Sequence, residues 1–149
     1  KKYHRYEPLN LLKFKDFNQS LQLAKGSVAA ISECSSGNNS DRDAVVWAYH
    51  ELLQRPEKRK ILFVLSDGQP ANATINVDEY SARGPLVMGL KNAIDECGQS
   101  GVECVGIGIL TDHVKDIYPK SVSITKVEDL SGAIFNQLSN LLTGGKVRF

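Results

Sequence analysis

Neither sign of charge dominates this sequence: 18 lysines and arginines face 17 aspartates and glutamates, for a net charge of +1. A chain so nearly neutral has no general attraction to nucleic acid or anionic lipid, and neither is expected as a partner. Long apolar runs are missing too. No stretch approaches the roughly 20 residues needed to cross a bilayer, so no membrane span is expected. The opening KKYHRYEPLN is basic but has no apolar segment behind it, so it is not expected to be a secretory signal. Cysteine is scarce: Cys34, Cys97 and Cys104 are odd in number and form no CxxC pair. Free thiols in a reducing cytoplasm are expected rather than a disulfide frame. The chain has no internal repeat, Walker loop, GxGxxG, GxSxG elbow, HxxxH or HExxH. With no nucleophile–base pair to propose, an independent hydrolase is not expected. The triplets NQS, NNS and NAT match the glycosylation acceptor pattern, which recurs by chance.

The remaining composition suits one compact domain: 149 residues, 42% hydrophobic and 23% charged. LNLLKF (Leu9 to Phe14) reads as a short strand. Asn18 to Ile31 reads as a helix with Leu21, Ala24, Val28 and Ile31 at helical spacing. A polar loop, Ser32 to Asp41, leads to a second helix from about Arg42 to Gln54. Val45, Tyr49 and Leu52 line its face, and Pro56 blocks its continuation. Lys60 to Leu65 is apolar on both faces, as a covered parallel strand would be. After a polar loop, Gln69 to Arg83, a helix from about Pro85 to Cys97 is expected to stop near Gly98. VECVGIGIL (Val102 to Leu110) and SVSI (Ser121 to Ile124) read as strands, with GIGIL as strand interior. A last helix runs from about Val127 to Leu142. Alternating strands and helices predict a three-layer α/β fold with a mostly parallel sheet built by right-handed crossovers.

Chemistry in such a sheet gathers beyond the carboxyl ends of the strands. Asp67 follows Lys60–Leu65 and Ser66, and Gly68 lets the backbone turn. Asp-Gly is a good turn pair in its own right. It also offers a carboxylate that could join the octahedral oxygen shell of Mg²⁺. Asp41, in NNSDRDAVVWA, stands at the mouth of a helix. Capping by Ser40 or Asp41, with Asp43 favoured by the helix dipole, is compatible with a metal contact because a cap residue points off the helix end. His113, in LTDHVKD near Asp112, belongs to a loop opening on the same crevice and reads as a solvated histidine. His4 and His50 add nothing to a ligand set. Trp47 has no aromatic neighbours and reads as core or partial core.

Together, NNSDRDAVVWAYHELLQRPEKRKILFVLSDGQP, VGIGILTDHVKDIYPKSVSI and VEDLSGAIFNQLSNLL resemble the C-terminal part of the von Willebrand factor A domain of the cobaltochelatase CobT type. The likeness extends to LNLLKFKDF and so covers nearly the whole chain. The resemblance implies a Rossmann-like von Willebrand factor A fold and a metal-ion-dependent adhesion site. By motif, Asp67 takes the place of the aspartate after the fourth strand and Asp41 that of the later-loop ligand. Ser40, Ser66, Gly68, Asp112 and His113 form the expected periphery, and Mg²⁺ or Mn²⁺ is the implied ion. The implied role is docking, without catalysis of its own, to an AAA+ ATPase and a chelatase large subunit during ATP-dependent cobalt insertion into a corrin ring. An adaptor for another AAA+ ATPase and a structural module with a degenerate metal site are the alternatives.

Two departures from the family pattern carry consequences. The Asp-x-Ser-x-Ser loop is absent; in the family it lies N-terminal to the segment matching LNLLKF. The first strand, its helix and the second strand, the middle of the sheet, are therefore expected to be missing. Unsatisfied buried groups cost about 1–3 kcal/mol each. The 149 residues are thus expected to form one incomplete domain whose gap is filled by a preceding segment of a larger protein or by another chain. Past Pro70 the chain reads ANATINV, where family members tend to be acidic.

Overall fold

A computed structural model describes residues 9–34, 40–68 and 84–143. Its centre is an open, three-stranded, all-parallel sheet ordered β1 (Lys60–Ser66), β2 (Val102–Ile109), β3 (Lys120–Ile124). The register sets Val64 beside Gly106 and Gly106 beside Ser121. This is the Rossmann-like α/β class expected from the alternation of elements.

The helices are α1 (Leu21–Ala29), α2 (Asp41–Leu53), α3 (Pro85–Gln99), α4 (Val114–Ile117) and α5 (Leu130–Thr143). Ser20 caps α1 by accepting the Leu23 N–H at 3.3 Å. Pro85 opens α3 at a position where its missing N–H has no cost. Gly98 does not end α3. The helix continues to Gln99, and the left-handed residue is Gly101, φ +79°, because the turn into β2 needs its positive φ three residues later than expected. The four-residue α4 was not expected at all; it is too short for its periodicity to show.

The core lies between the sheet and α2 and α3. Val45 and Tyr49 of α2 meet Leu90, Ala93, Ile94 and Cys97 of α3 over Val102 and Cys104 of β2, with Val114 and Tyr118 closing the side. On the opposite face of β2, Val105 and Ile107 are wholly buried. The helix from Leu130 buries Leu141, while Phe135, Leu138 and Leu142 remain exposed.

Three expectations are corrected. Leu9–Phe14 is not a strand. A strand needs a neighbouring ladder, and the described sheet holds none for it; the segment instead lies along α2. There Lys13 pairs with Glu51 and stands 5.7 Å over the Trp47 ring, and Arg55 stands 5.1 Å over Phe17. The helix expected over Asn18–Ile31 begins only at Leu21; it is α-helical to Ala29 and continues as a 3-10 turn over Ala30–Glu33, and of its apolar stripe only Ala24 is buried. Finally, β1 is parallel but not covered on both sides. It is an edge strand of the described sheet, its side chains are at best half-buried, and Leu65 is 46% exposed. Ser35–Asn39 and the Gln69–Arg83 loop lie outside the described residues.

Candidate metal centre at the carboxyl end of the sheet

β1 ends at Ser66, and its hydroxyl closes the turn that follows. Ser66 Oγ donates to the Gly68 carbonyl at 2.9 Å and accepts the Gly68 N–H at 3.4 Å. Asp67 sits at the apex, exposed, and none of the turn's hydrogen bonds among the described residues uses its carboxylate. Turn and ligand roles are therefore compatible here: serine makes the turn and the aspartate is carried by it.

Asp41 is the first residue of α2, one past the cap position. The expected capping by Ser40 does not occur. Its hydroxyl donates instead to Asp43 Oδ2 at 2.6 Å, since a charged acceptor draws the proton more strongly than a helix amide can use the oxygen. Arg42 holds the other Asp43 oxygen, Nη1 to Oδ1, at 3.2 Å. A six-residue link returns α2 to the start of β1, so α2 begins at the end of the sheet where β1 finishes. The first turns of the two helices agree with this placement: a Cβ on Gly89 of α3 would stand 3.2 Å from Arg42 Cδ. Asp41 and Asp67 thus lie at the same end of the sheet.

Asp41 continues the inward stripe of α2. Val45 and Tyr49, four and eight residues on, are buried in the core beside Tyr118. Tyr118 was not singled out in the sequence, yet it is only 4% exposed and its hydroxyl has no hydrogen-bond partner among the described residues. Burial, then the nearby charge of Asp41, pushes the phenol well above the usual tyrosine value. The ring lies on Gly106, where a Cβ would stand 2.4 Å from Tyr118 Cδ2. Gly-Ile-Gly in β2 was the legible signal. Two glycines at a spacing of two leave one face of the strand without side chains, so something bulky must press on it. At Gly108 a Cβ would stand 2.3 Å from the Thr111 carbonyl.

Asp112 and His113 follow β2, at the same end. Asp112 is exposed and held below the usual carboxylate range, chiefly by Lys115 at 2.6 Å and less by Ser123. His113 precedes α4 and is exposed. A crevice of about 300 Å³ opens beside them between Leu110, Thr111, Ser123 and Ile124. Leu110 adopts a left-handed φ of 58° and is 67% exposed, fixed by its N–H to the Ile124 carbonyl at 2.9 Å. Among the described residues, no three His, Cys, Asp or Glu side chains gather tightly enough to hold an ion alone.

Residues 8–144 match the family model of the von Willebrand factor A domain of the cobalamin biosynthesis protein CobT. The chain belongs to that family. No solved structure matches it. Membership gives this CobT-type domain a role in cobalamin biosynthesis, and the three parallel strands of its described residues, with their helices, are consistent with a truncated Rossmann-like von Willebrand A fold. None of its described helices is long and apolar enough to cross a membrane.

Proposed function

We propose that this CobT-type domain is the docking module of a cobaltochelatase subunit, binding an AAA+ ATPase partner through a Mg²⁺ (or Mn²⁺) site to which it contributes Asp67 and Asp41. The observation that carries the reading is an exposed carboxylate on the turn after β1, at the end of the sheet where α2 presents a second. Both donors are hard carboxylate oxygens, which fits Mg²⁺ rather than zinc. Two carboxylates leave most of about six coordination positions to water and to oxygens from outside this chain. Bound there, the ion would let a partner's Asp or Glu approach carboxylates that would otherwise repel it. Asp67 offers the accessible ligand; Asp41, half-buried at the helix start, is the more rigidly held one. Ser66 and Ser40 act indirectly, the first by shaping the turn and the second by engaging Asp43. The domain contributes contact surface, while ATP hydrolysis and the tetrapyrrole belong to the AAA+ and large subunits.

The same reading accounts for β1. A central strand of a parallel sheet is apolar on both faces, as ILFVL is, yet here it stands at the edge. We infer that its open edge takes a strand from a preceding segment of a larger protein or from another chain, and that this strand brings the remaining metal ligands.

Calorimetric titration of Mn²⁺ into the full-length protein and its Asp67→Ala variant tests the proposal. Binding that is lost or weakened at least tenfold in the variant is expected; equal affinity in both would leave Asp67 a turn residue and the domain a structural module. Affinity capture of the chelatase assembly should recover an AAA+ ATPase together with a large subunit. Recovery of the ATPase alone would favour an adaptor with another client.

A further inference from the structure

The loop after β2 is built around a space. At Gly108 a Cβ would stand 2.3 Å from the Thr111 carbonyl and 2.9 Å from Val114 Cγ2, so glycine lets the chain fold back over the strand. Leu110 makes the reversal in a left-handed conformation that a leucine side chain disfavours. Its N–H bonds the Ile124 carbonyl at 2.9 Å and ties the loop to the end of β3. Its side chain stays 67% exposed instead of entering the core. Strained backbone of this kind gathers where ligands are clamped.

Between loop and strand lies the crevice of about 300 Å³. Asp112 lines it with a carboxylate, Thr111, Ser123 and Thr125 with hydroxyls, and Leu110 and Ile124 with apolar walls. Ser123 pairs with Gly108 across the sheet and so faces the side over which the loop folds. Its hydroxyl oxygen is buried and makes no hydrogen bond among the described residues. A buried hydroxyl left unpaired is disfavoured, so a polar group from outside is wanted there. The lining is rich in acceptors, and among the described residues it holds one carboxylate and no cation. Lys115 reaches Asp112 Oδ1 at 2.6 Å from outside that lining, but both side chains are largely exposed and such a pair is weak. The volume stands at the lower bound for small-ligand pockets and suits one long side chain.

We propose that this crevice receives an arginine side chain of the docking partner, its guanidinium bonding the Asp112 carboxylate and the Ser123 hydroxyl. Arginine suits the lining better than lysine. Its planar fork serves several acceptors at once, and it gives up its water more readily than an ammonium. Its methylene stem would lie along Leu110 and Ile124. The crevice opens between the ends of β2 and β3, one to two strand spacings of about 4.8 Å from the end of β1. A partner that reaches Asp67 therefore passes over it. That the arginine belongs to this partner rests on the preceding reading; the preference of the crevice for a guanidinium does not.

The test titrates N-acetylarginine amide into the full chain, without metal, and follows backbone amide shifts by ¹H–¹⁵N spectroscopy. Saturable shifts at Leu110, Ser123 and Thr125 are expected, with the millimolar Kd usual for a ligand of this size. The uncharged isostere, N-acetylcitrulline amide, should produce none. Asp112→Asn should weaken arginine binding about tenfold. Lys115→Gln removes the competing ammonium and should tighten it about threefold. Both side chains are exposed, so neither change threatens the fold. An equal response to the citrulline compound, shifts only elsewhere, no saturable shift, or wild-type affinity in either variant overturns the proposal and leaves a crevice that holds water. No metal or ATPase takes part, so loss of Mn²⁺ binding or a failed capture of the ATPase strikes the docking function alone.

Discussion

Gly106→Ala is the sharpest test of the packing behind the candidate centre. The added methyl carbon would stand 2.4, 2.6 and 3.0 Å from Cδ2, Cγ and Cβ of Tyr118, where about 3.5–4.0 Å is normal contact between carbons. Relief requires either the ring or the strand to move by about 1 Å. The ring is hemmed in by the core and followed by Pro119. The strand is pinned on both sides, since Gly106 pairs with Val64 and with Ser121. Overpacking of this kind costs about 3 kcal/mol, and the stiffer unfolded chain of alanine returns about 0.5–1 kcal/mol, leaving about 2 kcal/mol of destabilisation. For a domain of this size that lowers the melting temperature by about 6 °C. Thermal unfolding followed by circular dichroism on the full chain reads it directly. Gly132→Ala is the control of opposite sign. Nothing lies within 4 Å of a Cβ there, and within α5 alanine should stabilise by about 0.8 kcal/mol. If Gly106→Ala melted at or above the wild-type temperature, Tyr118 would not be seated on the strand as described.

Three further outcomes follow from burial and strain. Cys34 is exposed, whereas burial pushes the Cys97 thiol up and that of Cys104 to about 12. Iodoacetamide at pH 8 should therefore modify Cys34 alone in the folded protein and all three thiols in urea, as read by intact mass. The same elevation makes stability pH-dependent on the alkaline side only. It is fully present below the unfolded thiol value of 9.0 and is lost toward about 12 as unfolded thiols release protons that the native state keeps. The slope, about 1.4 kcal/mol per pH unit per ionising thiol, should shrink in Cys104→Ala. Leu110→Asn replaces a left-handed leucine with a residue that tolerates positive φ, and should raise stability by about 1 kcal/mol in urea unfolding.

Much of the layout was legible along the chain. Lys60–Leu65 and Val102–Leu110 read as strands because largely apolar runs of that length have few other uses. The helices at Asp41 and Pro85 were readable from their stripes, and Asp67 and Asp41 from the places motifs give them. What misled was local propensity without its neighbours. Leu9–Phe14 has a strand's composition, but no ladder exists beside it in the described sheet, and ILFVL looks central while standing at an edge. Composition reports how well a segment would suit a buried sheet, not whether a partner is there to bury it.

The linear order of residues was thus sufficient for the α/β class and the free thiols, because each depends on short-range pattern or on residue identity. Only the folded chain decided that Ser66 rather than Asp67 makes the turn, that Ser40 serves Asp43 instead of the helix amides, and that Tyr118 comes to rest on Gly106. These relations join residues distant in sequence, and the depth at which a side chain settles depends on what the opposite surface leaves open.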